Sequence, residues 1–269
     1  MRLRSGVFSL LITLYGLIFL AQEQQSQNQA PSLQIALPVK FQHITTGYLY
    51  QLAAEMLFIK TSVFLGGVKP GVPSATYAKA LGNNFEVMTS LYPRFIDPYY
   101  FCQAFLPHIS PDDARKTNAI LETGIKAFPR DFIFRFFYGT NYFLSMNEPL
   151  MGAKAFAEAA KMPNAPPLFG HLEALLSAKG GDIAAGLVSL KTMLAAESDE
   201  VVRARYQHEI EIFEQALQVR EALTAFEDKH GSFPGTLDEL VPDFIKVLPD
   251  IKDSFTLRYD PPNLRLERP

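Results

Sequence analysis

Apolar side chains recur at helical spacing along most of the chain after residue 41. The first clear example predicts a helix over residues 45–65, because its apolar positions follow one another at intervals of three and four and share one face. The members of this stripe are Leu49, Leu52, Met56, Ile59 and Val63. A second helix is predicted over residues 74–92, after a loop that contains glycine and proline.

Proline interrupts the later helical segments at nearly regular intervals, at Pro93, Pro129 and Pro163. Two of the restarts are alike, Y-P-R-F-I-D and F-P-R-D-F. A spacing in the mid-thirties is typical of helical-hairpin repeats, in which one helix pair stacks on the next to bury its apolar face. The predicted pairs are 97–107 with the helix that begins at Ser110, 131–145 with 149–161, and 167–179 with 182–196.

The pattern changes after residue 198. A long helix is predicted over residues 199–230, and Gly231 ends it. A short helix follows, capped by Thr236 with Glu239 at the capping-box position. Alternating residues at 255–259 and 264–266 then predict a β-hairpin.

The first residues read as a targeting segment. Arg2 and Arg4 precede an apolar run over residues 6–21. We expect an uncleaved signal anchor in preference to a cleaved signal peptide, because Phe19 lies where a cleavage site needs a small residue. The positive-inside rule then places the bulk of the chain in the periplasm of a bacterial-type inner membrane. Cleavage would instead give a soluble periplasmic protein.

A pilin-like leader is a further interpretation of the same segment. It would end at Gly6, and Leu11 counts against it because pilins carry glutamate at that position.

These patterns divide the chain into five parts and predict an all-α solenoid of helical hairpins with a small C-terminal α+β tail. The parts are 1–21, a signal anchor or signal peptide; 22–40, a flexible glutamine-rich linker; 41–198, the helical repeat domain; 199–230, a long capping helix; and 231–269, a small C-terminal module.

Composition excludes several classes of partner. The 269 residues carry a net charge of −3 without any basic block, so nucleic acid is not expected to bind. Cys102 is the only cysteine, so neither an intramolecular disulfide nor a cysteine-based zinc site can form. Its aromatic neighbours suggest a buried thiol.

The sequence gives no sign of catalytic chemistry, and we expect neither a metal nor a small-molecule cofactor. Each histidine stands outside the His-Glu-x-x-His pattern and is interpreted as a surface or capping residue. Glu209, Glu211 and Glu214 are interpreted as the solvated face of the long helix. The histidines are His43, His108, His171, His208 and His230.

Aromatic residues are unusually dense between residues 95 and 143. They predict either a tightly packed core alone, or a core together with a groove that grips an extended peptide or an apolar helix. The candidate partner groove consists of Tyr99, Tyr100, Phe134, Arg135, Tyr138, Asn141 and Tyr142.

Small and large apolar residues at matching places in the hairpins resemble the tetratricopeptide repeat family over residues 75–197. The resemblance implies a right-handed stack of helix pairs with a concave groove, in a family that mostly mediates protein–protein assembly. The matching positions are Gly139 with Tyr142, Gly152 with Phe156 and Ala159, Ala174, and Gly186 with Leu190.

The tail resembles the carboxyl module of type II secretion pseudopilins. It has H-G-S-F-P-G-T-L-D-E-L after a helix, then L-P-D and a hairpin. Both resemblances together predict a non-enzymatic, membrane-tethered scaffold or assembly factor that binds a partner protein in the cell envelope. One alternative is a pseudopilin-like structural component of a secretion or pilus-type machine. A third is a helical-cleft hydrolase or lyase, which would need a buried carboxylate or histidine on the groove face.

Overall fold

The chain is mostly helical, with a two-stranded antiparallel sheet near its C-terminus. A computed structural model describes Thr13, Tyr15 and residues 33–251 and 254–268. The predicted signal anchor, apart from those two residues, and the first part of the predicted linker lie outside the described residues. The chain forms two compact units, one up to Cys102 and one from Gln103 onward.

The described residues of the first unit form three helices and most of a fourth, which crosses the boundary. The helix predicted over residues 45–65 is confirmed from residue 50 onward, but its predicted start is wrong, because Gly47 adopts a φ of +50° and a 3-10 turn separates two helices there. The predicted helix over 74–92 begins with a 3-10 turn of its own. The helices are α1, Val39–Thr46; α2, Tyr50–Gly67; α3, Ala78–Leu91; and α4, Asp97–Phe105.

Two asparagines of α3 hold the chain that leads into α1. The Asn84 side chain accepts from the Ala36 N–H at 2.8 Å and donates to the Gln34 carbonyl at 3.0 Å. The Asn83 side chain donates to the Ala36 carbonyl at 2.8 Å. Ordered contacts therefore begin ahead of Phe41, inside the segment predicted as a flexible linker.

In the second unit, consecutive helices along the chain pack on one another. Side-chain caps begin several of them: Ser110, Asp131, Asp182 and Asp199 each accept a backbone N–H. Gly231 ends the last one at a φ of +74°, as predicted. The helices are α5, Pro111–Ala127; α6, Phe132–Thr140; α7, Pro149–Ala160; α8, Pro167–Lys179; α9, Ile183–Ala196; and α10, Glu200–His230.

The tail folds as the alternation predicts. Strands β1, Thr256–Asp260, and β2, Asn263–Glu267, pair antiparallel. The capping box of Thr236 and Glu239 is also confirmed, on a 3-10 turn over Leu237–Leu240. The buried side chains of the tail belong to the same core as α8, α9 and α10, so hairpin and helices fold as one body.

Within the described part of the chain, none of the helices combines the length and apolar character needed to cross a bilayer.

Candidate functional site

A π turn follows α6 and sets the side chains of the candidate site. The Met146 N–H donates to the Asn141 carbonyl at 3.0 Å, five residues back, so the turn over Asn141–Ser145 is wider than an α-helical turn. Across the junction, the rings of Tyr138 and Tyr142 meet edge to face, with centroids 5.2 Å apart. Two phenols thus project together from one helical face.

These phenols line a cavity of about 350 Å³ between α6 and α7, which we call the tyrosine cavity. Its apolar wall includes the exposed Met151, and its charged groups come from both helices. Its lining includes Arg135, Tyr138, Tyr142, Met151, Lys154 and Glu158.

The two phenols form a short hydrogen-bonded chain. The Tyr138 hydroxyl donates to Glu122 Oε1 at 3.1 Å and lies 3.3 Å from the Tyr142 hydroxyl. Burial raises the pKa of Tyr138, and the hydrogen bonds and charges of Tyr142 and Glu122 raise it further. Tyr138 therefore stays protonated. Because its single proton goes to Glu122, Tyr142 donates to Tyr138.

The charged side chains that line the cavity differ in their exposure and in their partners. Burial lowers the pKa of Arg135 and Asp131 opposes that shift, but a guanidinium remains charged at any physiological pH. Lys154 is exposed. Glu158 lies 2.6 Å from Lys161, whose hydrogen bond lowers the pKa of that carboxyl. Lys154 also acts on the Glu158 carboxylate, so the lining of two cations and one carboxylate presents an apolar wall beside a net positive charge, which suits an apolar side chain next to an acidic group.

Three of the seven predicted groove residues, Arg135, Tyr138 and Tyr142, come together in this cavity. The groove role predicted for Phe134 and Asn141 is wrong, because both side chains are buried and neither can face a partner. The Phe134 ring packs on the Phe128 ring at 5.6 Å.

Tyr99 and Tyr100 belong to the first unit. Tyr99 is completely buried and its hydroxyl donates to the Pro93 carbonyl at 2.9 Å, so the groove role predicted for it is also wrong. Tyr100 is exposed on α4.

Asn141 instead has a structural role, because its side chain lies at the centre of a buried amide network. It exchanges two hydrogen bonds of 2.9 Å with Gln103, and its Nδ2 also donates to Asn118 Oδ1 at 2.9 Å. Asn118 in turn donates to the Tyr138 carbonyl at 3.1 Å. Satisfied buried amides of this kind fix one arrangement of the backbone, here the π turn that positions the two phenols.

A larger cavity of about 520 Å³ lies among α7, α8 and α9, and sequence reasoning missed it. Its walls are mostly apolar, and the half-buried carboxyl of Glu173 is among the residues that line it. Burial raises the pKa of Glu173, against hydrogen bonds from Ser189 and Ser177 that lower it. The raised pKa lets this carboxyl keep its proton to a higher pH than an exposed glutamate does, and the protonated form can donate a hydrogen bond.

The surface positions expected for Glu209 and His171 are both wrong. Glu209 does not belong to a solvated face, because only 2% of its side chain is exposed, and His171 is not a surface residue. The His171 Nε2 lies 2.8 Å from Glu209 Oε2, and Arg268 Nη2 lies 3.4 Å from Glu209 Oε1. The face of α10 that carries Glu209 is covered by α8 and by the end of the chain, which a helical period alone does not reveal.

Among the residues that the structure describes, no three His, Cys, Asp or Glu side chains are placed to hold a metal ion. Comparison with models of protein families, with curated proteins and with solved structures finds no match to this chain.

Proposed function

We propose that this chain is a non-enzymatic, membrane-tethered scaffold or assembly factor of the cell envelope, built from tetratricopeptide-like hairpins. The observation that carries the proposal is the tyrosine cavity, in which Arg135, Tyr138 and Tyr142 surround an apolar wall. Aromatic and arginine side chains in a partly desolvated pocket are the residues that most often dominate binding between proteins.

Close helix contacts at small residues support the tetratricopeptide-like interpretation. A Cβ atom on Gly139 of α6 would lie 2.7 Å from the Phe156 ring of α7. A Cβ atom on Gly186 of α9 would lie 2.6 Å from the Ala174 carbonyl of α8. These are the positions that resemble the family, and their lack of a side chain lets the two helices of each hairpin approach closely.

The chemistry of the cavity defines the expected ligand. An apolar or aromatic side chain would fill the space beside Met151, while a neighbouring carboxylate would pair with Arg135 and Lys154. We propose an extended, acidic and partly apolar segment of a partner protein as the occupant.

Arg135→Glu tests this proposal. Full-length tagged protein would be purified from detergent-solubilised membranes, and co-purifying proteins would be quantified by mass spectrometry. We expect Arg135→Glu to reduce recovery of the specific partner at least about tenfold, because a charge-assisted hydrogen bond contributes roughly 1.5–3 kcal/mol. Arg130→Glu is the matched control, since Arg130 is exposed just before α6 and does not line the cavity. Equal recovery with both variants would remove the cavity from the proposal.

The membrane tether rests on Arg2, Arg4 and the apolar run over residues 6–21. It places the scaffold in the periplasm of a bacterial-type inner membrane, held by its N-terminus. Mass spectrometry of the mature N-terminus together with membrane fractionation distinguishes the alternatives. Intact Met1 in the membrane fraction supports the tether, whereas a soluble form that starts beyond Ala21 indicates a free periplasmic adaptor.

A pseudopilin-like structural component is the second candidate, and the geometry of the tail favours it. The Tyr259 hydroxyl of β1 donates to the Pro234 carbonyl at 2.8 Å, which joins the hairpin to the segment that resembles the pseudopilin module. Cleavage of the chain after Gly6 would move this function to first place.

A further inference from the structure

The first unit leaves a long row of apolar side chains in contact with solvent. In α1, Phe41 and Ile44 are exposed, and Tyr48 is completely exposed in the following turn. In α2, the exposed fraction reaches 54% at Ile59 and 70% at Val63. We define the α1–α2 apolar face as Phe41, Ile44, Tyr48, Leu52, Met56, Ile59 and Val63.

This row is the outer side of a helix that is apolar on both sides. Ala54 and Phe64 of α2 are buried, and Ala54 packs in one cluster with Val87 and Leu91 of α3. The exposed members of α2 follow at intervals of four, three and four, so they form one stripe. A helix with apolar side chains on its outer side as well as its inner side needs cover on both.

From this geometry we infer that the α1–α2 apolar face lies in the interfacial layer of a lipid bilayer. The helical period places the charged Glu55 and Lys60 on either side of the α2 stripe. A helix that lies in the plane of the interface has this arrangement, with apolar side chains among the acyl chains and charged groups at the headgroups. Exposed tyrosines such as Tyr48 are favourable at the same depth.

The position of the face along the chain also favours the bilayer, and this step rests on the proposed N-terminal tether. Asn83 and Asn84 hold residues 34–36 on α3. Only residues 22–33 separate that clamp from the apolar run, and about 12 residues reach no more than about 40 Å when fully extended. The tether therefore keeps the first unit close to the bilayer surface.

Site-specific fluorescence quenching in the full chain tests the inference. Cys102, the only native cysteine, is buried, so a thiol-reactive probe reports on an added cysteine. Ile59→Cys places the probe on the α1–α2 apolar face, and Met56→Cys gives an independent position on the same stripe. The control Val201→Cys is matched, because Val201 is an exposed apolar residue at the start of α10. Ser9→Cys reports separately on the apolar run.

The proteins would be reconstituted in vesicles of phosphatidylethanolamine and phosphatidylglycerol that carry a lipid with a nitroxide on its acyl chain. Iodide serves as the aqueous quencher. We expect the nitroxide to quench probes at residues 56, 59 and 9 severalfold more than the probe at residue 201, which iodide should quench.

Other outcomes overturn the inference and separate it from the tether. Quenching at residue 9 by the nitroxide, with residue 59 quenched by iodide as residue 201 is, would leave the tether standing and the face in water. Protection of residue 59 from both quenchers would show that protein covers the face, either a second copy or another chain. Failure of the nitroxide at both residues 9 and 59 would overturn the tether and the inference together.

Discussion

The carboxyl of Glu173 lines the larger cavity, and burial raises its pKa against the hydrogen bonds of Ser177 and Ser189. A raised pKa means that the folded protein holds this proton more tightly than the unfolded chain does. The associated stability is present below the unfolded pKa of about 4.3 and is lost as the pH rises through the folded pKa.

Glu173→Gln should therefore change stability in a pH-dependent manner. Near pH 4 the variant and the parent should unfold at similar temperatures. Above the folded pKa the variant should be the more stable, because the parent must then keep a carboxylate in an apolar cavity. Thermal unfolding followed by circular dichroism at both ends of this range measures the difference. A parent that is more stable than Glu173→Gln at pH 8 would contradict the role assigned to burial.

The helical positions of individual residues explain which members of the groove could be predicted. Arg135, Tyr138 and Tyr142 are three and four residues apart and share one helical face. Phe134 and Asn141 each precede a groove residue by one position and share a face that turns into the core. The helical period separates cavity-facing from core-facing positions, whereas aromatic density alone does not. The burial of Glu209 and the partial burial of Glu173 could not be predicted, because both depend on which helices cover α10 and α8.

Among the elements, glycine marks places where the two helices of a hairpin approach closely. A Cβ atom on Gly186 would lie 2.6 Å from the Ala174 carbonyl oxygen and 2.7 Å from the Phe213 ring. The first of these neighbours is backbone and cannot move aside without shifting α8.

Gly186→Ala should accordingly destabilise the second unit by about 1–3 kcal/mol, the usual cost of overpacking. Gly170→Ala is the control on the neighbouring helix of the same unit, where the nearest atom is the flexible Met193 sulfur at 3.2 Å. We expect a clearly smaller effect there, because the thioether can move and alanine favours the helix by about 1 kcal/mol. The urea unfolding midpoints of the two variants and the parent, compared at equal m-values, measure the difference in stability. An equal loss at both positions would argue against a backbone contact at Gly186.

Element type was easier to predict than element ends. The alternation at residues 255–259 and 264–266 correctly predicted the hairpin, whose strands span residues 256–260 and 263–267. The break at Gly47 and the π turn after Thr140 escaped prediction, since they depend on a positive φ and on the amide network around Asn141. Docking of the tail depends on a distant residue, Arg220, which donates to the carbonyls of Gly181 and Leu264.

At the scale of the whole molecule, the two units offer different surfaces. The first carries the α1–α2 apolar face, which we assign to the bilayer, and the second carries the tyrosine cavity, which we assign to a partner protein. Helical periodicity indicated a mostly helical chain from the sequence alone, and the structure agrees. Exposure of the α2 stripe could not be predicted, because an apolar stripe looks the same whether protein or lipid covers it.

Photocrosslinking from inside the tyrosine cavity, in intact cells, tests the proposed scaffold most directly. A photoreactive amino acid at Met151, which is exposed and lines the cavity, would be compared with one at Val188, which is exposed on α9 outside it. We expect Met151 to give one discrete adduct that maps to an acidic, partly apolar segment of another protein and that Arg135→Glu abolishes. The same adducts from Met151 and Val188, or an adduct that persists in Arg135→Glu, would contradict partner binding in this cavity.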